Sequence, residues 1–270
     1  MQIKPEDYLE PGCPFCTNDA VKPIELRRML ERLDALLARN DTAAAERHLD
    51  FWRLEALQGR DRRGLLCVEN ERMGLFRKLG KQEQALAAAE AALALVAELE
   101  LQDSVTGATS LLNAATVYKA FAQPQKALAL YGQAQTVYER ELAPDDPRLG
   151  GLYNNMALAL TELGRFAQAR DAYERALAVM QAAGDAKPEL AITELNLADL
   201  AEAEYGPLDA EAEIEARLDR AQALLDAPDN PRDGNYAFVC EKCASAFSYH
   251  GRFLYAQELA RRSEEIYAGT

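Results

Sequence analysis

One short phrase recurs along this chain at intervals of about 42 residues. Small residues stand at Ala45, Ala85, Ala127 and Ala169, spaced by 40, 42 and 42, and Ala256 follows 87 residues later, about two intervals on. The text around them repeats too. Leu79-Gly80-Lys81-Gln82-Glu83-Gln84-Ala85-Leu86 corresponds to Leu163-Gly164-Arg165-Phe166-Ala167-Gln168-Ala169-Arg170, and both correspond to His250-Gly251-Arg252-Phe253-Leu254-Tyr255-Ala256-Gln257. The third copy keeps the pattern with Ala122 and Pro124 in place of the Gly and the aromatic. A period of this length marks a repeat architecture, in which each unit leaves an apolar face that only the next unit covers.

Before each small anchor lies a segment of helical spacing, such as Tyr153, Met156, Ala157 and Leu160, and after it another, such as Ala169, Tyr173, Ala176 and Leu177. Both are rich in Ala, Leu, Glu, Arg and Gln, which favour helix. Asp103-Ser104, Pro144-Asp145-Asp146-Pro147, Lys187-Pro188-Glu189 and Asp233-Gly234 supply the caps and helix-opening prolines expected at helix starts. Strand signals are nearly absent. The pattern predicts an all-α chain: a tail over 1–22 and a solenoid over 23–270, with helix–turn–helix units at about 24–58, 61–99, 104–142, 146–183, 187–226 and 234–268. Two antiparallel helices approach closely only across small side chains, so Ala157 is expected to face Ala169 and Ala176, with Tyr153, Leu160, Phe166 and Tyr173 filling the gaps between. About three extra residues around Tyr205-Gly206-Pro207-Leu208-Asp209 leave the register of the fifth unit open, and Ile214 stands there in place of an Ala.

These residues resemble the tetratricopeptide repeat, with a long period similar to that of kinesin light chain. The resemblance is greatest from Leu142-Ala143-Pro144-Asp145-Asp146-Pro147 through Leu152-Tyr153-Asn154-Asn155-Met156-Ala157-Leu158 and Gly164-Arg165-Phe166 to Arg175-Ala176-Leu177, and it extends over roughly 24–268. It implies a right-handed superhelical solenoid of about six repeats whose first helices line a concave groove. A narrower resemblance is to intracellular peptide-pheromone receptors of Gram-positive bacteria, which stack similar repeats behind an N-terminal effector module that 22 residues are too few to form.

Charge narrows the function. The chain has 270 residues, with Lys plus Arg 30 against Asp plus Glu 44, a net charge of −14. Nucleic-acid binding needs a dense basic footprint, so it is not expected here. The most apolar run, Ala85 to Leu99, is cut by Glu90 and Glu98, so no membrane span is expected. Five cysteines, an odd and low count, argue against a secreted disulfide framework and for a reducing cytoplasm. Only His48 and His250 are present, with no phosphate loop, nucleophile elbow or metalloprotease pair, so no catalytic function is expected.

Asn113, Asn155 and Asn196 fall 42 and 41 residues apart, at one equivalent place on three successive first helices. The resemblance implies that amides at this place, with the adjacent Asn154, contact the backbone of an extended peptide. The alternative is that they bond the neighbouring helix and set repeat spacing. Residues 185–233 hold 14 acidic against 4 basic residues. Asp199, Glu202 and Glu162 are assigned to an acidic end of the groove, and Arg77, Lys78 and Lys119 to a basic end, which would orient a protein or peptide partner that is itself basic at one end. Glu211, Glu213 and Glu215 read as solvated helix-terminal charge.

Cys13-Pro14-Phe15-Cys16 has the spacing of half a zinc site or of a dithiol, with His48 and Cys67 as candidate completing ligands. It supports a competing reading of the chain as a metal- or redox-responsive protein in which the solenoid is only support. Cys240 and Cys243 lie one helical turn apart at positions reserved for packing, and read as core. At the end of the chain Leu254, Leu259, Ile266 and Tyr267 cannot all pack on one partner helix, which suggests a homodimer through the last repeat.

Overall fold

The computed structural model describes residues 20–184 and 187–269, in which there are twelve helices and no strand. The chain divides after Glu100 into two compact units. The first holds α1 (Leu26–Ala38), α2 (Thr42–Gln58), α3 (Arg62–Lys78) and α4 (Gln82–Glu98). The second holds α5 (Val105–Ala120), α6 (Pro124–Glu141), α7 (Pro147–Glu162), α8 (Phe166–Ala183), α9 (Lys187–Tyr205), α10 (Glu211–Leu225), α11 (Gly234–Tyr249) and α12 (Phe253–Gly269). Both units are all-α repeat solenoids of helix pairs.

The starts and reversals follow from local chemistry. Asp41, Asp61, Ser104, Asp146 and Asp233 each accept a hydrogen bond from a backbone N–H of the helix they precede, and Pro147 opens α7 where no donor is needed. Asp61 uses its other oxygen to accept from the Ile24 N–H at 2.9 Å, which ties the approach to α1 onto the start of α3. Each first helix ends in a turn whose middle residue is left-handed. Gly164 takes φ 68° there at no steric cost, whereas Ala122 adopts φ 56° with a β-carbon in the way.

Close approach is made at the small residues. Ala45, Ala85, Ala127 and Ala169 are each 0% exposed. Ala157, Leu160, Ala169 and Tyr173 form one cluster with Leu197 and Leu200 of α9, so the pair α7–α8 is covered by the first helix of the next pair, as stacking requires. In the fifth repeat the extra residues lengthen the turn, Gly206–Ala210, and α10 then runs in ordinary register with Ile214, Leu218, Ala221 and Leu225 inward. Ile214 is accommodated in the core where an Ala was expected. At the end of the second unit Leu259 is buried and Ile266 packs half-buried on the core, while Leu254 is 83% exposed and Phe253 and Tyr267 are exposed.

Candidate functional site

The first helices of the second unit lie side by side: α5 touches α7, α7 touches α9, and α9 touches α11. Helix α9 packs on four neighbours and is apolar almost all round, with Leu190, Leu195, Leu197 and Leu200 buried on different faces. Its remaining polar positions are therefore set by packing on both sides.

The asparagines occupy this row, but in unequal roles. Asn113 is half-buried on α5. Asn155 donates from Nδ2 to the Gly151 carbonyl of its own helix at 2.9 Å, and no bond to its Oδ1 is formed among the described residues. Asn196 donates from Nδ2 to Asn154 Oδ1 at 3.0 Å, and the Thr193 hydroxyl donates to the same oxygen at 3.3 Å. Asn154 therefore joins α7 to α9, which is the spacing role, and Asn155 makes no hydrogen bond across repeats among the described residues. Asn196 combines the two: its amide is held by Asn154 while its Oδ1 has no bond among the described residues.

A cleft of about 690 Å³ opens between α9 and α11. Its floor includes Ile192, Leu195 and Ala246, and Asn196, Asp199 and Glu202 of α9 line it together. Both carboxylates are held by the C-terminal end of α11 and the residue that caps it. His250 Nε2 lies 2.8 Å from Asp199 Oδ1, and the Tyr249 hydroxyl donates to Glu202 Oε1 at 2.9 Å. Glu202 Oε2 is 3.9 Å from the other imidazole nitrogen. The His250 side chain is only 6% exposed, whereas Tyr249 is 69% exposed. The hydrogen bond to Glu202 and its negative charge push the Tyr249 hydroxyl above the usual phenol range. Lys242 lines the same cleft from α11.

Lys242, Tyr249 and His250 were not among the site residues expected from the sequence. A signal for Lys242 was present: it stands nine residues before the left-handed Gly251, as Asn113 does before Ala122 and Asn155 before Gly164. It differs from them in residue type and in being exposed where they are half-buried.

Two tetratricopeptide repeat family models match the sequence, over residues 108–148 and 148–212. The chain therefore carries tetratricopeptide repeats over residues 108–212. No curated protein sequence matches it. Among solved structures it is similar to a protein described as a kinesin light chain with nearly identical TPR-like repeats, from Podosopora anserina. The two share 20% identity at a TM-score of 0.52, over 76% of this chain and 95% of that one. Aspartyl phosphate phosphatase F from Bacillus subtilis is similar at 17% identity and a TM-score of 0.57, over 91% of this chain and 61% of that one. A Rap protein complexed with Competence and Sporulation Factor is similar at 15% identity and a TM-score of 0.61, over 91% and 65%. This chain thus spans less than two thirds of the last two, and all three likenesses bear on the fold. Tetratricopeptide repeats build protein-binding scaffolds, and that is the class of function the fold supports.

The other assigned residues do not line the cleft. Glu162 is exposed at the end of α7, and with Asp199 it acts on Tyr173, whose hydroxyl is pushed up first by burial and then by these two charges. Lys119 is half-buried at the end of α5, and Arg77 and Lys78 are exposed at the end of α3 in the first unit. Glu213 is not solvated helix-end charge: it accepts from Arg170 at 2.8 Å and lies 3.4 Å from Arg217. Cys13 and Cys16 lie outside the described residues. Of their candidate companions, His48 has Nε2 2.9 Å from the Met29 carbonyl, and the half-buried Cys67 thiol is pushed up to about 11 by burial, with Glu71 and Asp61 adding to it. A thiol raised in this way is a poorer source of the thiolate a metal needs. Cys240 and Cys243 are buried, and burial pushes the Cys243 thiol up to about 12. Among the described residues no helix is long and apolar enough to cross a membrane.

Proposed function

We propose that the second unit is a non-catalytic docking platform that holds an extended segment of a partner protein or peptide along the face formed by α5, α7, α9 and α11. The observation that carries this reading is the α9–α11 cleft, where Asn196, Asp199 and Glu202 converge on an apolar floor. An amide with a spare acceptor suits a backbone N–H of any sequence. Carboxylates at one end favour a segment that is basic at the end it presents there. The similar fold of the Rap protein complexed with Competence and Sporulation Factor is in keeping with a bound effector, though its 15% identity carries no residue assignment.

The test is selection of a random 12-residue peptide library on the intact chain, followed by affinity measurement on Asn155→Ala and Asn196→Ala. Binding should weaken about tenfold on each, equivalent to about 1.4 kcal/mol. A library that yields no binding peptide ends the reading. So does affinity unchanged on both variants.

A further inference from the structure

We propose that the α9–α11 cleft is a bipolar pocket: its α9 wall reads one basic side chain of the docked segment, and its α11 wall reads an acidic group beside it. The proposal rests on the docking-platform reading and makes it specific.

The α9 wall is Asp199 and Glu202, one helical turn apart. Each is already fixed by one donor, Glu202 by Tyr249 at the end of α11 and Asp199 by His250, which caps that helix. A carboxylate has about four acceptor positions, so one bond orients it and leaves capacity for a cation. Because the two groups are held before any ligand arrives, a docking ammonium or guanidinium does not have to order them, which is where much binding free energy is otherwise lost. Tyr249 and His250 act through these carboxylates, as positioning residues.

The floor distinguishes this pocket from a merely acidic surface. Ile192, Leu195 and Ala246 line the cleft with apolar surface beside the charges. Lys and Arg carry methylene stems that bury along such a surface while the charged head stays at the rim. A volume of about 690 Å³ accommodates more than one side chain.

The α11 wall supplies direction. Lys242 stands at the place that carries Asn in the third and fourth repeats, so the sixth repeat presents a cation where those present an amide. A second basic residue on that side would meet like charge, whereas an aspartate, a glutamate or a terminal carboxylate would not. The pocket thus selects one chain direction as well as one composition.

The library selection decides it when run in parallel on the intact wild type, on the Asp199→Asn, Glu202→Gln double variant and on Lys242→Glu. Wild-type selections should be enriched in Lys or Arg next to Asp or Glu. The double variant should lose at least tenfold of the basic enrichment and keep the acidic one. Lys242→Glu, an exposed substitution, should do the reverse. Tyr249→Phe should weaken binding of a selected basic–acidic peptide severalfold with its melting temperature unchanged. Binding peptides without a paired basic and acidic position, or the same enrichment on all three proteins, overturn the pocket and leave the platform standing. The absence of any binding peptide removes both.

Discussion

The two units are built from the same repeat, yet they treat the same structural position in opposite ways. Nine residues before the left-handed turn residue, the first unit places Glu31 and Glu71. Glu31 pairs with Arg27 of its own helix at 2.7 Å, and Glu71 is pushed above the usual carboxylate range by burial and by Asp34. The second unit places Asn113, Asn155 and Lys242 there, with Asn196 ten before Gly206. Neutral amides and a cation in this row leave the acidic pair of α9 as its carboxylates, whereas the first unit puts acids in the row itself. One scaffold thus supplies two surfaces, because the turn fixes where the position lies and leaves its chemistry free.

Buried charge sharpens the contrast. In the first unit the Glu69 carboxylate is 2% exposed and accepts from Arg53 Nε at 2.6 Å. Arg72 Nε lies 3.2 Å away, near enough to pair in charge but not aligned for a hydrogen bond. The second unit's counterpart is Glu194, held by Arg217 at 2.9 Å and Arg220 at 3.2 Å. Glu69→Ala should cost the first unit about 1.5–3 kcal/mol, since it removes the buried carboxylate that Arg53 bonds and Arg72 faces, while Arg72 keeps Asp50. Hydrogen exchange read amide by amide should show the loss in α2 and α3. An equal loss in α9 to α12 would mean that the units do not unfold separately.

Next in size are the two adjacent asparagines. Asn154→Ala removes the acceptor shared by Asn196 and Thr193 and should lower stability by about 1–3 kcal/mol. Asn155→Ala breaks only a bond within its own helix and should leave the melting temperature nearly unchanged. Thermal denaturation of the two variants side by side checks this. Equal destabilisation would show that both amides are structural and would remove Asn155 from the docking face.

The helices, their caps and the small contact residues were legible because each depends on neighbours within one or two turns of chain. Ser104, Asp146 and Asp233 announce their helices, and the alanine anchors announce their contacts. Asn155 and Asn154 look alike in sequence and were separable only once α9 was seen to reach Asn154 alone. His250 stands in the repeated turn phrase but nothing there marked it as a site residue, since its partner Asp199 is 51 residues away and meets it only through stacking of successive repeats. Residue type hid Lys242, although its position relative to Gly251 was readable.

The turns offer a smaller test. Ala122 holds φ 56° where Gly80, Gly164 and Gly251 stand in other repeats. Ala122→Gly should stabilise the third repeat by about 1 kcal/mol by relieving the β-carbon clash, partly offset by the greater freedom of an unfolded glycine. Chemical denaturation measures it, and a destabilised variant would show that Ala122 makes contacts worth more than its strain.

The smallest effect separates the units by pH. Burial alone would raise Glu213, but the hydrogen bond and charge of Arg170, with Arg217, bring it below the usual range. Gln135, Arg175 and Tyr153 do the same for Glu139. A lowered carboxyl contributes stability that is present above its ordinary value of 4.5 and is lost as pH falls through the folded value. Glu71 has the opposite sign. Its raised folded value favours the protonated form, so its contribution is present below 4.5 and is lost as pH rises through the folded value. Acidification from neutral pH towards 4.5 should therefore relieve the strain at Glu71 in α3, and acidification below 4.5 should weaken the second unit at Glu213 and Glu139. Glu71→Gln removes the titration and should stabilise the first unit by about 0.5 kcal/mol at neutral pH, with no gain at pH 4. Exchange rates in α3 at the two pH values read this out. A gain of equal size at both would place the effect in packing of the amide and leave the carboxylate charge out of it.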